Sequence, residues 1–152
     1  MMTKSLALFP LLLLSFGFVS VATQPSSEES ASHAQEKTEL QKAMQTFKAA
    51  QRSLKKLIGD PAANEEALLE TLRGMEASAM AALAETPTQP EGLAGKELAL
   101  FHVGFKLQVA KLLEQILAMQ GATLRGDSDA LKSGYDELGK VKMHGHETYR
   151  DF

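Results

Sequence analysis

The chain contains no cysteine, and this absence removes several classes of protein. Without thiols there is no disulfide framework, no thiolate metal site, no lipidated cysteine and no Cys-x-x-Cys-His attachment for a c-type haem. Basic residues are also in the minority, with 16 Lys and Arg against 19 Asp and Glu. This charge balance does not suggest a nucleic acid or an anionic membrane as a partner.

The first 22 residues have the layout of a secretory signal peptide. A short basic head with Lys4 precedes an apolar stretch over residues 6–22 that ends in small side chains. A retained transmembrane helix needs about 20 predominantly apolar residues, whereas Pro10 and Gly17 interrupt this stretch. We therefore predict cleavage near Ala22, a periplasmic location and no membrane association after the signal is removed.

The exported chain is predicted to consist of a leader and one domain. Without Lys4, 15 basic residues remain against 19 acidic ones, which gives a formal net charge of −4. Residues 23–35 are mainly Ser, Glu, Gln and Ala with little to bury, so we expect a disordered leader. Residues 36–152 suit a single domain. Because disulfides are excluded, its stability must come from a core or from a bound cofactor.

From Thr38 onward no segment alternates with period two, and four segments show helical periodicity instead. The first begins at a possible capping box of Thr38 with Gln41 and stops at Gly59, a good left-handed cap residue. The second begins at Asp60-Pro61, an N-cap followed by a proline at the first helical position. The predicted inward residues of these two segments are Leu40, Met44, Phe47, Leu54, Ile58, Leu68, Leu72, Met75, Ala79 and Leu83.

The rest of the domain also contains two helical segments, which follow a predicted loop. Residues 86–92 contain two prolines that cannot continue the second helix, so this stretch is the predicted long loop. The third segment fades at Gly121, and residues 126–129 supply the next turn and N-cap. Four amphipathic helices with two short connections and one longer one predict an all-α fold, an antiparallel up-down-up-down four-helix bundle.

Helical phase separates the histidines of the last segment. With Leu138 at zero and about 100° per residue, the inward face is centred near 30°. His146 then lies at about 80°, toward the bundle, and His144 at about 240°, away from it. The same count from Leu40 places Met44 at about 40° on the inward face of the first helix.

Met44 and His146 are predicted to face each other at one end of the bundle. Antiparallel packing of the first helix against the last brings the start of one level with the end of the other. A thioether and an imidazole on opposite sides of a gap can both bind one haem iron. Such a pair raises the reduction potential relative to harder ligands and leaves no open position for a substrate, which favours electron transfer over catalysis.

Each of these residues also has a simpler explanation. A methionine on an apolar helical face is usually core filler, and a histidine in a last helical turn is favoured by the helix dipole alone. His144-Gly145-His146 suggests a copper, nickel or zinc site, although in a helix the two rings point about 200° apart. His102 lies on the flank of the third helix, where we expect it to be solvated.

The sequence also bears on functions other than electron transfer. A di-iron carboxylate bundle needs Glu-x-x-His pairs, and no glutamate stands three residues before any histidine. No nucleophile elbow or candidate triad supports acyl-transfer chemistry, so no enzyme activity is predicted. The main alternative is a haem-free periplasmic helical bundle that binds a partner or acts as a stress adaptor, with Met44 in the core.

Five stretches in matching order resemble the cytochrome b562 family. They are residues 40–44, 75–79, 86–87, 101–105 and 146–150, and the resemblance spans nearly all of residues 38–150. The most specific pieces are a methionine four residues after a leucine in the first helix, Phe-x-x-Gly-Phe in the third helix and a C-terminal His-x-x-Tyr-Arg.

The resemblance implies an electron-transfer protein that holds one non-covalent haem b. The methionine ligand of the family falls on Met44 and its histidine ligand on His146, while Phe101 and Phe105 are expected to pack near the haem. An arginine of the family is replaced by Lys142, which can meet a haem propionate as a point charge but not as a planar fork. We expect a monomer whose redox protein partners the sequence does not identify.

Overall fold

Four helices account for most of residues 37–149, the part of the chain that the computed structural model describes. They are α1 (Glu39–Leu57), α2 (Glu65–Ala84), α3 (Gly95–Leu124) and α4 (Ser128–Tyr149). Consecutive helices pack against each other, as in an antiparallel bundle. The predicted all-α four-helix fold is confirmed, and the predicted signal peptide and leader lie outside the described residues.

The inward sides of the four helices meet in one hydrophobic core. Its members were largely predicted by helical spacing: in α2, for example, Leu68, Leu72, Met75 and Ala79 are fully buried, and Leu83 packs against them. Burial of each large apolar side chain stabilises the fold by roughly 1.5–3 kcal/mol. The largest fully buried side chains are Phe47, Leu54, Leu68, Leu72, Met75, Ile116, Met119, Leu131 and Leu138.

The predicted capping box at the start of α1 is present. The backbone nitrogen of Gln41 donates to Thr38 Oγ1 at 3.2 Å, and the backbone nitrogen of Thr38 donates to Gln41 Oε1 at 3.1 Å. The left-handed cap predicted at Gly59 is wrong, because the described glycines with positive φ are Gly92, Gly95 and Gly126. A tight turn, in which Asp60 N donates to Leu57 O at 3.3 Å, ends the helix without a left-handed residue.

The start of α2 was predicted four residues too early. Asp60 does act as a cap, since its Oδ1 accepts from the backbone nitrogen of Ala63 at 3.2 Å. The turn that it caps stays isolated, with Asn64 N donating to Pro61 O at 3.3 Å, and α2 begins only at Glu65. The cap and proline signal therefore marks a single turn that leads into the helix.

The end of α3 lies beyond the predicted position. Gly121 remains inside the helix, which continues to Leu124. Gly126, at φ +67°, then allows a C-terminal cap with two backbone hydrogen bonds. Asp127 N donates to Ala122 O at 2.9 Å, and Gly126 N donates to Thr123 O at 3.0 Å. The predicted turn and N-cap over residues 126–129 are confirmed, because Asp127 Oδ1 accepts from Ala130 N at 3.0 Å.

Candidate functional site

The helices α1 and α4 have the fewest close backbone contacts of the neighbouring helix pairs in the bundle. Close backbone contacts join α1 to α2, α2 to α3 and α3 to α4, whereas α1 and α4 have at most isolated ones. Helices in direct contact have axes about 8–10 Å apart, so α1 and α4 lie farther apart than the other neighbouring pairs. We call this space the α1–α4 seam. Gln51 on α1 and Lys142 on α4 line it.

One hydrogen bond between long side chains crosses the α1–α4 seam. Lys142 Nζ donates to Gln51 Oε1 at 2.7 Å. Gln51 is buried, with 8% of its surface exposed, and Lys142 is half-buried. Because the two side chains meet end to end, this bond identifies which edges of α1 and α4 face each other. It also places Lys142 on the inward face of α4.

Met44 and His146 extend the same two edges toward the same end of the bundle. Met44 precedes Gln51 by seven residues, two helical turns, and His146 follows Lys142 by four residues, about one turn. Since the helices are antiparallel, these steps carry Met44 about 10.5 Å and His146 about 6 Å from the level of the Gln51–Lys142 bond. Both side chains are half-buried, and Met44 packs against the core.

An aromatic group at this end of the bundle joins α3 to the last turn of α4. The Tyr149 ring centroid lies 5.1 Å from that of Phe101 and 5.6 Å from that of Phe105, the latter in an edge-on arrangement. A Cβ atom at Gly104 would lie only 2.5 Å from the Tyr149 hydroxyl oxygen. Gly104 therefore makes room for the Tyr149 phenol, and burial raises the pKa of that phenol.

The solvated position expected for His102 is wrong. The ring is half-buried, and its Nε2 atom is buried with no hydrogen-bond partner among residues 37–149. Helical phase gives the direction of a flank position but does not report which neighbouring groups cover it. His144, in contrast, is exposed as predicted.

Apolar periodicity also missed two buried glutamines that contact α4. Gln51 on α1 accepts from Lys142. Gln108 on α3 is 7% exposed, and its Nε2 donates to the backbone oxygen of Val141 at 2.6 Å. Gln108 lies three residues after Phe105 and four before Leu112, so it shares their helical face. A polar residue at an inward position between two core residues is the signal that would have identified it.

Two further properties of residues 37–149 bear on the site. No helix there combines the length and the apolar character needed to cross a membrane. In the same range, no three His, Asp or Glu side chains are grouped so that they could hold a metal ion by themselves.

The family model described as cytochrome b562 matches residues 39–150. The matched region includes all four helices and both Met44 and His146. No curated protein and no solved structure matches the chain.

Proposed function

Because the chain belongs to the cytochrome b562 family, whose members are haem-binding electron-transfer proteins, we propose that it is a periplasmic electron carrier. In this proposal, one non-covalent haem b is held in the α1–α4 seam by Met44 and His146 as axial ligands. The observation that carries the proposal is the wide α1–α4 seam crossed by the Gln51–Lys142 bond. Helical phase from these two residues supports a position of Met44 and His146 on the two edges of the seam.

The chemistry of these side chains fits a haem. A thioether and a neutral imidazole are established axial ligands of haem iron in electron-transfer cytochromes. Both side chains are half-buried, so each remains within reach of a group that enters the seam from solvent. A flat macrocycle also suits a space where two helices are held apart while the other three helix pairs pack directly.

The bound haem supplies an iron that accepts and releases one electron, and the chain determines how readily it does so. Met44 favours the reduced state, because thioether ligation raises the reduction potential. Lys142 adds a positive charge one turn before His146, and a nearby positive charge favours an added electron. If Met44 and His146 both hold the iron, the chain would leave no position for a substrate, which fits a carrier rather than an enzyme.

The periplasmic location is supported by the signal-like composition of residues 1–22. Since this segment lies outside the described residues, its support comes from the sequence alone. We expect the exported protein to begin at Thr23, which the intact mass of the protein recovered from the periplasm checks. An uncleaved chain in the cytoplasmic fraction would contradict the proposed location.

Replacement of the proposed methionine ligand tests the site. In Met44→Ala the haem should become five-coordinate, high-spin and more weakly bound, because one axial ligand is lost. Visible absorption of the oxidised and reduced protein measures this change. Met80→Ala is the matched control, since Met80 lies on α2 with 51% of its surface exposed and should leave the low-spin spectrum intact.

The outcomes of this experiment separate the hypotheses. An unchanged low-spin spectrum in Met44→Ala rejects Met44 as a ligand. A native protein that binds no haem and stays colourless rejects the electron-transfer function as a whole. The haem-free helical bundle that binds a partner or acts as a stress adaptor would then be the remaining hypothesis.

A further inference from the structure

We infer that Gln51 and Gln108 brace the end of α4 from two sides and hold His146 in position before any cofactor binds. The brace is defined by these two glutamines and their partners on α4, Val141 and Lys142. The inference rests on the proposed function, because it assigns a positioning role to residues that support a proposed ligand.

The two glutamines form hydrogen bonds with adjacent residues of α4. Gln108 reaches Val141 from α3 at 2.6 Å, and Gln51 reaches Lys142 from α1 at 2.7 Å. Val141 and Lys142 lie five and four residues before His146, which is about one helical turn. The brace therefore holds the turn of α4 that directly precedes the proposed ligand, and it does so from both neighbouring helices.

Partner chemistry gives the two amides opposite roles. A backbone carbonyl oxygen only accepts hydrogen bonds, so Gln108 must present its NH2 group to Val141. A lysine ammonium only donates, so Gln51 must present its carbonyl oxygen to Lys142. One glutamine is a donor and the other an acceptor, and the same substitution at the two positions should have different effects.

The brace adds to the contact of Tyr149 with α3 in a part of α4 that has low helix propensity. Gly139 and Gly145 lower its helix propensity, and the wide seam deprives it of close packing against α1. Gly145 also belongs to the brace geometry, because a Cβ atom there would lie 3.1 Å from Gln108 Cγ. The missing side chain lets Gln108 pass close to α4 and reach the backbone of Val141.

Apolar contacts alone would not fix the position of α4 in the same way. Apolar side chains contribute burial without direction, whereas buried hydrogen bonds act only in one geometry and fix the position of the groups that they join. Both glutamines are at least nine-tenths buried at positions on the core side of their helices. We therefore assign them to the position of α4 rather than to bulk stability.

The test compares one isosteric substitution at the two glutamines. In its ionised form, Gln108→Glu replaces the donor with an acceptor and repels the Val141 carbonyl, so the measurement is made at a pH where this carboxylate is ionised. Gln51→Glu keeps an acceptor for Lys142. In the exported protein without haem, amide hydrogen exchange of residues 142–149 should accelerate about tenfold in Gln108→Glu, in line with the loss of a buried hydrogen bond. In Gln51→Glu it should change by less than about threefold, because the bond to a charged donor is retained.

Haem dissociation provides the second measurement. It should accelerate about tenfold in Gln108→Glu, since the ligand is no longer held in position. It should stay close to the native rate in the control Gln89→Glu, because Gln89 is exposed in the loop before α3. If Gln108→Glu does not fold, Gln108→Leu replaces it, because leucine keeps apolar bulk and removes the donor. Circular dichroism with native helix content ensures that the comparison is between folded proteins.

The two measurements fail separately. If the native protein binds haem but exchange and dissociation in Gln108→Glu match the native values, the brace is overturned and the proposed function stands. If the native protein binds no haem, the proposed function fails, and with it the ligand-positioning role. Fast exchange in Gln108→Glu together with fast haem loss supports both.

Discussion

Gly104 shows how a single missing side chain positions the aromatic residues of the candidate site. The Tyr149 hydroxyl occupies the space that a side chain at Gly104 would need, and the Tyr149 ring contacts Phe101 and Phe105. The glycine of Phe-x-x-Gly-Phe and the tyrosine of His-x-x-Tyr are thus two halves of one contact. That contact attaches the last turn of α4 to α3, three residues after His146.

We predict that Gly104→Ala destabilises the protein by about 1–3 kcal/mol, because the new methyl group displaces the Tyr149 phenol. Urea unfolding of the haem-free protein measures this change. Gly74→Ala in α2 is the matched control, because a Cβ atom at position 74 would meet open space. Alanine there should favour the helix by about 1 kcal/mol relative to glycine. Equal stabilisation by both substitutions would show that Tyr149 does not occupy the space beside Gly104.

The buried residues that helical phase could not assign are polar or lie on a flank. Gln51 and Gln108 share the spacing of the core residues, but their role depends on which atoms of α4 they meet. His102 has a flank position that helical phase alone leaves ambiguous between solvent and protein. Contacts between helices decide all three cases, and such contacts do not follow from one helix considered alone.

At the scale of the helices, the presence and the order of the four helices could be predicted well from the sequence. Their first and last residues could be predicted less well. Apolar spacing identified all four helices, and the capping box of Thr38 placed one start correctly. The starts and ends that differ depend on a competition between a short turn and a longer helix, as at Asp60 and Gly121. Side-chain caps and glycine conformations decide that competition, and several arrangements suit the same sequence.

The two glycines of α4 give a prediction at this scale. Gly139→Ala should raise the free energy of unfolding by about 1 kcal/mol, because alanine has a higher helix propensity than glycine. A Cβ atom at position 139 would meet open space, so no contact opposes this gain. Gly145→Ala gains the same helix propensity but presses on Gln108, so it should be less stable than Gly139→Ala by about 1 kcal/mol or more. Thermal and urea unfolding of the two variants measure the difference. An equal gain at both positions would mean that Gln108 moves aside without cost.

At the scale of the whole molecule, the antiparallel order of the helices followed from their short connections, whereas the width of the α1–α4 seam did not. Spacing along a helix predicts which face is inward but not how far apart two inward faces are held. That distance depends on the side chains between them, here Gln51 and Lys142. The facing of Met44 and His146 therefore remains a prediction of the sequence that the open seam supports.

The most direct test of the central claim is the reduced-minus-oxidised visible spectrum of the native protein purified from the periplasm and saturated with haem. A six-coordinate Met/His haem predicts sharp low-spin bands on reduction, because both axial positions are filled by the chain. The same sample should melt at a higher temperature than the haem-free protein, since haem binds the folded state. A high-spin spectrum would contradict the account. A colourless protein whose melting temperature does not change when haem is added would also contradict it.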